Sequence, residues 1–149
     1  MARFLKDEDY SALIRNEIKE LLLRSQAGTD EAKLLNAEQM AVQQIKHYLF
    51  GKYDIDLIFA PTIENEEDVR DKYIVMITMD CTLYHLYTSE APERMPSTRS
   101  ERYADLISDL KDVRKGNMNL DLPAIIDERG TASFGMRINS KYPDEDNRW

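Results

Sequence analysis

The feature that most constrains the fold is a long apolar stretch in the middle of the chain. From Thr62 to Ala91 there are 30 residues without a glycine or a proline. Within this stretch, the residues from Tyr73 to Tyr87 place apolar side chains on nearly every side of a helix. A helix that is apolar all round is normally buried, so the other elements have to surround it. The β-branched residues at 74–78 leave a strand as the alternative, but the uninterrupted length favours a helix over residues 66–88, starting at an acidic turn.

Three other stretches show the spacing of amphipathic helices. Residues 7–24 begin with three acids, which suit the positive end of a helix dipole, and a break near Asn16 would split them into two short helices. Residues 30–50 form the clearest helix and end at Gly51. Residues 98–115 carry one apolar stripe and end at Gly116. The fold class expected from these patterns is all-α, a small bundle of four to five helices with an extended loop or arm and a strand-like C-terminal tail.

The regions between and after these helices are read as extended. Ile55, Leu57 and Phe59 alternate as in a short strand, although an extended loop pinned on the core fits the pattern equally well. The residues from Asn117 onwards, ending in Leu120 to Pro123, are interpreted as a projecting arm. Apolar side chains alternate again in the tail, at Ala132, Phe134, Met136 and Ile138. We therefore expect a helical domain over residues 1–127 and an extended tail over residues 128–149 that is either loose or donated to another subunit.

Composition excludes several classes of function. The chain has 149 residues and a net charge of -8, whereas a generic nucleic-acid-binding protein is basic. Its single cysteine, Cys81, excludes an internal disulfide and a zinc site built from cysteines, and its apolar surroundings indicate a small core residue rather than a reactive thiol. The N-terminus has no apolar signal core, and no window is apolar enough to span a bilayer. We expect a chain made inside the cell, without a membrane partner.

Few residues suggest catalysis or metal binding. His47 and His85 have no second histidine at metal-binding spacing, and the acidic clusters do not match a calcium-binding loop. Asp80 is unusual, because a carboxylate in an apolar stretch needs a partner. It is either a general acid or base with a raised pKa, or a structural group that pairs with Arg70 or Arg102 or lies at an interface. Since no second catalytic group accompanies it, the expectation is no catalytic residue, no metal and no cofactor.

Five short segments, taken in order, resemble a known family. The chain opens with Phe4-Leu5-Lys6-Asp7-Glu8-Asp9-Tyr10, and its second helix leads into Ile45-Lys46-His47-Tyr48-Leu49-Phe50-Gly51-Lys52-Tyr53. The central stretch contains Asp80 to Tyr87 (DCTLYHLY), the last helix runs from Arg102-Tyr103-Ala104-Asp105 to Gly116, and Leu120 to Pro123 follows. Together they resemble the small helical head–tail adaptor (connector, or head-completion) proteins of Mu-like phages and prophages. Residues 54–68 and the mixed-charge end from Lys141 to Trp149 depart from the family pattern.

This resemblance implies a structural virion protein. Its subunits form a ring of about a dozen copies below the portal of a filled head, extend the DNA channel and present a surface to the tail. The implied partners are other copies of the chain, the portal protein, and a tail-side connector or tail-terminator protein. DNA passes through the lumen without sequence-specific binding, and an acidic wall would let it slide. The implied location is the head–tail junction of the virion, with the host cytoplasm as the place of assembly.

Residues expected at the subunit or portal interface lie on the last helix, on the arm and on the tail. They are Arg102, Tyr103, Leu120, Leu122, Phe134, Met136 and Ile138. Two other functions stay open. One is a small helical regulator or partner-binding protein without catalysis, and the other is an enzyme that uses Asp80 with His47 or His85.

Overall fold

The computed structural model describes residues 3–22 and 30–125, which fold into five α-helices. These are α1 (Ala12–Leu22), α2 (Asp30–Leu49), the single-turn α3 (Ile55–Ile58), α4 (Lys72–Glu90) and α5 (Ser97–Lys115). Short 3-10 turns precede α1, at Asp7–Asp9, and α5, at Pro92–Arg94. The described ranges contain no strand, only an isolated antiparallel bridge between Tyr53 and Ala124. The all-α prediction is therefore confirmed for this part of the chain.

Helix α4 is the centre of the molecule. It packs against α2, α5 and α1, and its buried side chains face in almost every direction around its axis. Its two buried threonines, Thr78 and Thr82, donate their hydroxyl protons to carbonyl oxygens one turn earlier, over 2.6 and 2.7 Å. These bonds satisfy both hydroxyl donors within the helix itself. The β-branched residues at 74–78 are helical, so burial outweighs their preference for strands.

The surrounding helices cover α4 with the apolar faces that their sequence periodicity predicts. Helix α2 contributes fully buried side chains, and α5 contributes the stripe predicted for it. The N-terminal segment closes the remaining side with Phe4, Leu5 and Tyr10. These helices contribute the following buried residues: Ile18, Leu21, Leu22, Ala37, Ala41, Ile45, Leu49, Leu106, Leu110 and Val113.

A buried carboxylate holds the N-terminal segment against α2. The Glu38 carboxylate accepts hydrogen bonds from the Arg3 guanidinium over 2.7 and 2.8 Å, and another from the Tyr10 hydroxyl over 2.6 Å. Burial, reinforced by the negative charge of Glu38, raises the pKa of Tyr10. Hydrogen bonding to Glu38 likewise raises the pKa of Arg3. The opening motif thus has a structural role in covering the core.

The segment after α5 returns to the core instead of projecting as an arm. Gly116 ends the helix at φ 85°, in the left-handed region that favours glycine. The following residues then run beside the turn after α2: Asp54 donates its backbone N–H to the Pro123 carbonyl, and Ile125 donates to the Lys52 carbonyl, over 2.8 and 3.1 Å. The Lys52 ammonium also donates to the Val113 carbonyl over 2.7 Å, where the α5 dipole favours a cation. The projecting-arm interpretation is wrong as far as residue 125.

Three sequence-based boundaries also differ from the structure. The stretch 7–24 contains a 3-10 turn and a helix that starts at Ala12, so the break lies before Ala12 and not near Asn16. The stretch around Ile55 is a helical turn, neither a strand nor an extended loop, because the Asp54 carboxylate caps it by accepting from the Leu57 N–H over 3.1 Å. The central helix starts six residues later than expected from position 66, because Asp71 supplies its N-cap.

The expected C-terminal strand and the domain boundary near residue 127 lie outside the described residues. Within the described ranges, no helix has the length and apolar character that crossing a membrane requires.

Because α4 lies at the centre of the bundle, we expect two substitutions on it to lower the free energy of unfolding by very different amounts. Leu83 is fully buried, whereas 40% of Met76 is exposed. Leu83→Ala should lower the free energy of unfolding by about 3 kcal/mol, because it leaves a cavity at the centre of the bundle. Met76→Ala should lower it by less than about 1 kcal/mol. Urea unfolding followed by circular dichroism measures both values, and equal losses would contradict the central placement of α4.

Candidate interaction surface

A groove of about 840 Å³ lies beside the N-terminal end of α4. One wall is the chain from α3 to the start of α4, and the other includes Asp121, Leu122 and Pro123 from the segment after α5. Apolar side chains on the first wall are open to solvent, with exposed fractions of 60% for Leu57, 59% for Ile63 and 87% for Val69. Apolar side chains gathered at a surface groove are typical of binding sites. We define these lining residues as the 57–73 groove.

Arg70 holds the wall of this groove in place. Its guanidinium donates to both Asp9 carboxylate oxygens over 2.6 and 2.8 Å, and to both Asp68 carboxylate oxygens over 2.8 Å. It also donates to the Phe4 carbonyl over 2.9 Å, so all five N–H donors are used. Only 5% of its side chain is exposed. The planar guanidinium of arginine can bind two carboxylates at once. Arg70 thereby ties the loop before α4 to the N-terminal segment.

The charges at this anchor stabilise one another. Burial on its own would raise the pKa of Asp9, but hydrogen bonds from Arg70 and from the Lys6 backbone outweigh that effect and lower the pKa. Hydrogen bonds from Arg70 also hold the pKa of Asp68 well below its usual range. The pKa of Arg70 is raised in turn, first by Asp68 and then by Asp9. Both carboxylates are therefore ionised at neutral pH. Their ion pairs with Arg70 hold the loop that forms the groove wall in position.

A second polar cluster joins α1, α4 and α5 around Asp80. The Arg102 guanidinium donates to both Asp80 oxygens over 2.8 and 2.9 Å, and a nitrogen of Arg99 lies 4.0 Å from one of them. Arg99 also pairs with Glu17 over 2.7 Å, and the Tyr87 hydroxyl donates to the same carboxylate. The prediction that Asp80 pairs with an arginine is confirmed with Arg102 as its partner, whereas Arg70 pairs elsewhere.

Gln44 connects the polar side chains between α2, α4 and α5. Its amide nitrogen donates to the Tyr103 hydroxyl over 2.7 Å, and its amide oxygen accepts from His85 Nε2 over 2.6 Å. The same oxygen lies 3.4 Å from the sulfur of Cys81. The Tyr103 ring stacks on the Tyr84 ring, with 3.7 Å between centroids and 4° between planes. The cluster is an internal hydrogen-bonded packing unit of three helices.

Burial shifts the pKa values of two titrating groups in this cluster. Burial raises the pKa of the Cys81 thiol to about 12, so the thiol stays protonated near neutral pH and is a weak nucleophile. Burial also lowers the pKa of His85, which favours the neutral imidazole. In the described part of the chain, no three metal-binding side chains are grouped closely enough to hold an ion.

The residues predicted for the interface are placed as follows. Arg102 is engaged with Asp80, and Tyr103 is engaged with Gln44 and Tyr84. Leu120 and Leu122 are partly buried against the core, and the Leu120 N–H donates to the Tyr53 hydroxyl over 2.9 Å. Of these, Leu122 alone lines the 57–73 groove. Phe134, Met136 and Ile138 lie outside the described residues.

Sequence reasoning missed the 57–73 groove itself. Ile63 and Val69 stand alone among acidic residues, without the spacing that marks a helix face or a strand. The available signal was that residues 54–68 depart from the pattern of the resembling family. Within it, residues 65–68 look like an acidic helix start, whereas residues 59–71 form a non-helical loop with exposed apolar side chains.

Because the Arg70 side chain makes five hydrogen bonds, we expect even the conservative exchange of this residue for lysine to lower the stability of the protein. Arg70→Lys keeps the charge but cannot bond two carboxylates and a carbonyl in one plane, so the free energy of unfolding should fall by about 2–3 kcal/mol. The matched control is the reciprocal exchange Lys72→Arg, because Lys72 also pairs with Asp68 but has 77% of its side chain exposed. The control should change stability by less than about 0.5 kcal/mol. Chemical unfolding of both variants measures this difference, and similar losses would refute the anchoring role.

Comparison with known proteins gives one family match. The sequence model of the family described as "Bacteriophage Mu, Gp36" matches residues 4–137. No curated protein and no solved structure matches the chain.

Proposed function

Because the chain belongs to the Bacteriophage Mu Gp36 family, with residues 4–137 matched, we propose that it is a structural virion protein that forms a head–tail connector ring. In this proposal the ring lies below the portal, extends the DNA channel and provides the surface on which the tail docks. The observation that carries the proposal is the match to a phage family across most of the chain, combined with the order of motifs that resemble head–tail adaptors.

The described structure supports a role in assembly. Its polar clusters hold the subunit together: Arg102 and Gln44 join helices to one another, and Arg70 joins the loop before α4 to the N-terminal segment. They leave a groove with exposed apolar side chains on one side. A subunit that carries a groove on one surface and a complementary segment on another makes head-to-tail contacts. Such contacts close into a ring when the rotation per subunit allows it.

The partners follow from this position in the particle. Copies of the chain contact one another, the portal protein lies on one face of the ring, and a tail-side connector or tail-terminator protein lies on the other. The net charge of -8 suits a channel through which DNA moves without sequence-specific binding. Assembly takes place in the host cytoplasm, and the final location is the head–tail junction.

The proposal includes no catalysis and no cofactor. Both oxygens of Asp80 accept hydrogen bonds from Arg102, which supports a role for this carboxylate in joining α4 to α5. His85 donates to Gln44, which supports a packing role for this histidine.

Asp80→Asn separates the structural role from an enzymatic one. The variant should unfold about 1–2 kcal/mol more easily, because the amide accepts fewer bonds from Arg102 and leaves two arginines close together. Ser100→Ala, at an exposed position on the same helix as Arg102, is the control and should change stability by less than about 0.5 kcal/mol. Thermal unfolding measures both. A variant that keeps full stability but loses a measurable activity would support an enzyme instead.

The ring predicts a large mass for the purified chain. Native mass spectrometry and negative-stain imaging over a wide concentration range should show rings of about a dozen subunits, either alone or after addition of the portal protein. Removal of residues 128–149 should preserve the helical circular dichroism signal but prevent the joining of heads and tails. Normal joining by the shortened chain would contradict the assembly role of the tail.

A second candidate is a small helical regulator or partner-binding protein without catalysis. The exposed apolar groove is compatible with it, since such a groove also binds other partners. A tight dimer that stays dimeric in the presence of the portal protein would favour this second function over the connector.

A further inference from the structure

We propose that the 57–73 groove of one copy receives the alternating segment 131–138 of a neighbouring copy. This inference rests on the connector proposed above and names the contact that links adjacent subunits. It joins two features of the chain: a groove with exposed apolar walls, and a segment whose apolar residues alternate in the sequence.

The shape of the two elements is complementary. In this proposal the segment docks in an extended form. Extended residues place every second side chain on one face, so Ala132, Phe134, Met136 and Ile138 would form an apolar edge about 20 Å long. The groove offers exposed Leu57, Ile63 and Val69 along one wall, with Leu122 on the other. Contact between the two sets would remove both from water, which is favourable for apolar surface.

The charges are complementary as well. Arg137 is the single charged residue of segment 131–138, and the nearest charged residues on either side, Arg129 and Lys141, are also basic, in a chain whose net charge is -8. The groove lining contains five acidic and three basic side chains. Arg70 and Lys72 already pair with Asp68, whereas the rim residues Glu66, Glu67 and Asp121 are exposed. A basic segment therefore meets a predominantly acidic rim, which favours its binding over that of an acidic one.

The path of the chain favours exchange between copies. The described chain ends at Ile125, whose N–H is bound to the Lys52 carbonyl, just after Asp121–Pro123 have formed one groove wall. Only residues 126–130 separate this point from the alternating segment, and the chain from residue 125 to residue 131 spans at most about 21 Å. Ala124 and Ile125 are not part of the groove lining, so a chain that entered the groove of its own copy would have to turn back within residues 126–130. A neighbouring groove receives the segment without that reversal, and the resulting contact is head-to-tail.

Disulfide trapping in full-length chains tests this contact. Cys81 is buried, with a thiol pKa of about 12, so the native cysteine should stay unreactive under mild oxidation. One copy carries Ile63→Cys and the other carries Phe134→Cys, and the two are mixed and oxidised. The control pair replaces the groove cysteine with Thr88→Cys, an exposed position about 24 Å along α4 from the groove residue Lys72.

The expected result is a cross-linked pair of chains, with a yield roughly tenfold above that of the control pair, a ratio equivalent to about 1.4 kcal/mol in binding. Adding Val69→Lys to the groove copy should reduce the yield, since it places a cation in the path of a basic segment. Adding Leu13→Lys, which makes the same change at an exposed apolar position outside the groove, should leave the yield unchanged.

Two results would overturn the proposal. One is a yield equal to that of the control pair, at the highest concentration at which the chain stays in solution. The other comes from a separate variant that carries both Ile63→Cys and Phe134→Cys in one chain: a disulfide that forms only within that chain, and not between the mixed copies, would assign the segment to its own groove. Rings seen by native mass spectrometry together with either result would leave the connector function standing, whereas loss of the rings under all conditions would count against that function itself.

Discussion

The need to bury α4 on all sides controls the rest of the structure. An amphipathic helix needs one packing partner, but a helix with apolar side chains all round needs a partner in every direction. Helices α1, α2 and α5 provide most of these, and the N-terminal segment with Phe4 and Leu5 completes the cover. The bundle is therefore arranged around a central helix, and the connections have to bring four separate parts of the sequence to that helix.

Polar groups on or near the central helix determine how the surrounding elements are oriented. Apolar burial is not directional, whereas an ion pair or an amide hydrogen bond works only in one geometry. Asp80 pairs with Arg102 and His85 bonds to Gln44, so α5 and α2 are each tied to α4 at a defined position. The family-like motifs meet at such contacts. Tyr53, at the end of the second motif, accepts a hydrogen bond from Leu120, which opens the last one.

Elements with strong apolar periodicity could be predicted from the sequence. Helix boundaries that depend on a local capping residue could not. Helices α2 and α5 were predicted to within one residue, because an apolar stripe and a glycine mark each of them. The start of α4 was misplaced, since the acidic residues at 65–68 look like a helix start, yet Asp71 is the residue that caps the helix. The groove was not predicted, because it depends on Arg70 reaching Asp9 across 61 positions in the sequence. Periodicity contains no information about such distant pairs.

The expected interface residues show how folding and assembly compete for the same side chains. Arg102 and Tyr103 look available in the sequence because they are polar or amphipathic residues on a helix, but both are engaged inside the subunit. A residue that orients two helices is poorly suited to bind another subunit. To do so it would have to rearrange and lose hydrogen bonds within its own subunit. Ile63 and Val69 have no such role in the subunit and are exposed. In the proposed ring, contacts between copies are therefore better sought at the loop that precedes α4 than at Arg102 and Tyr103 on α5.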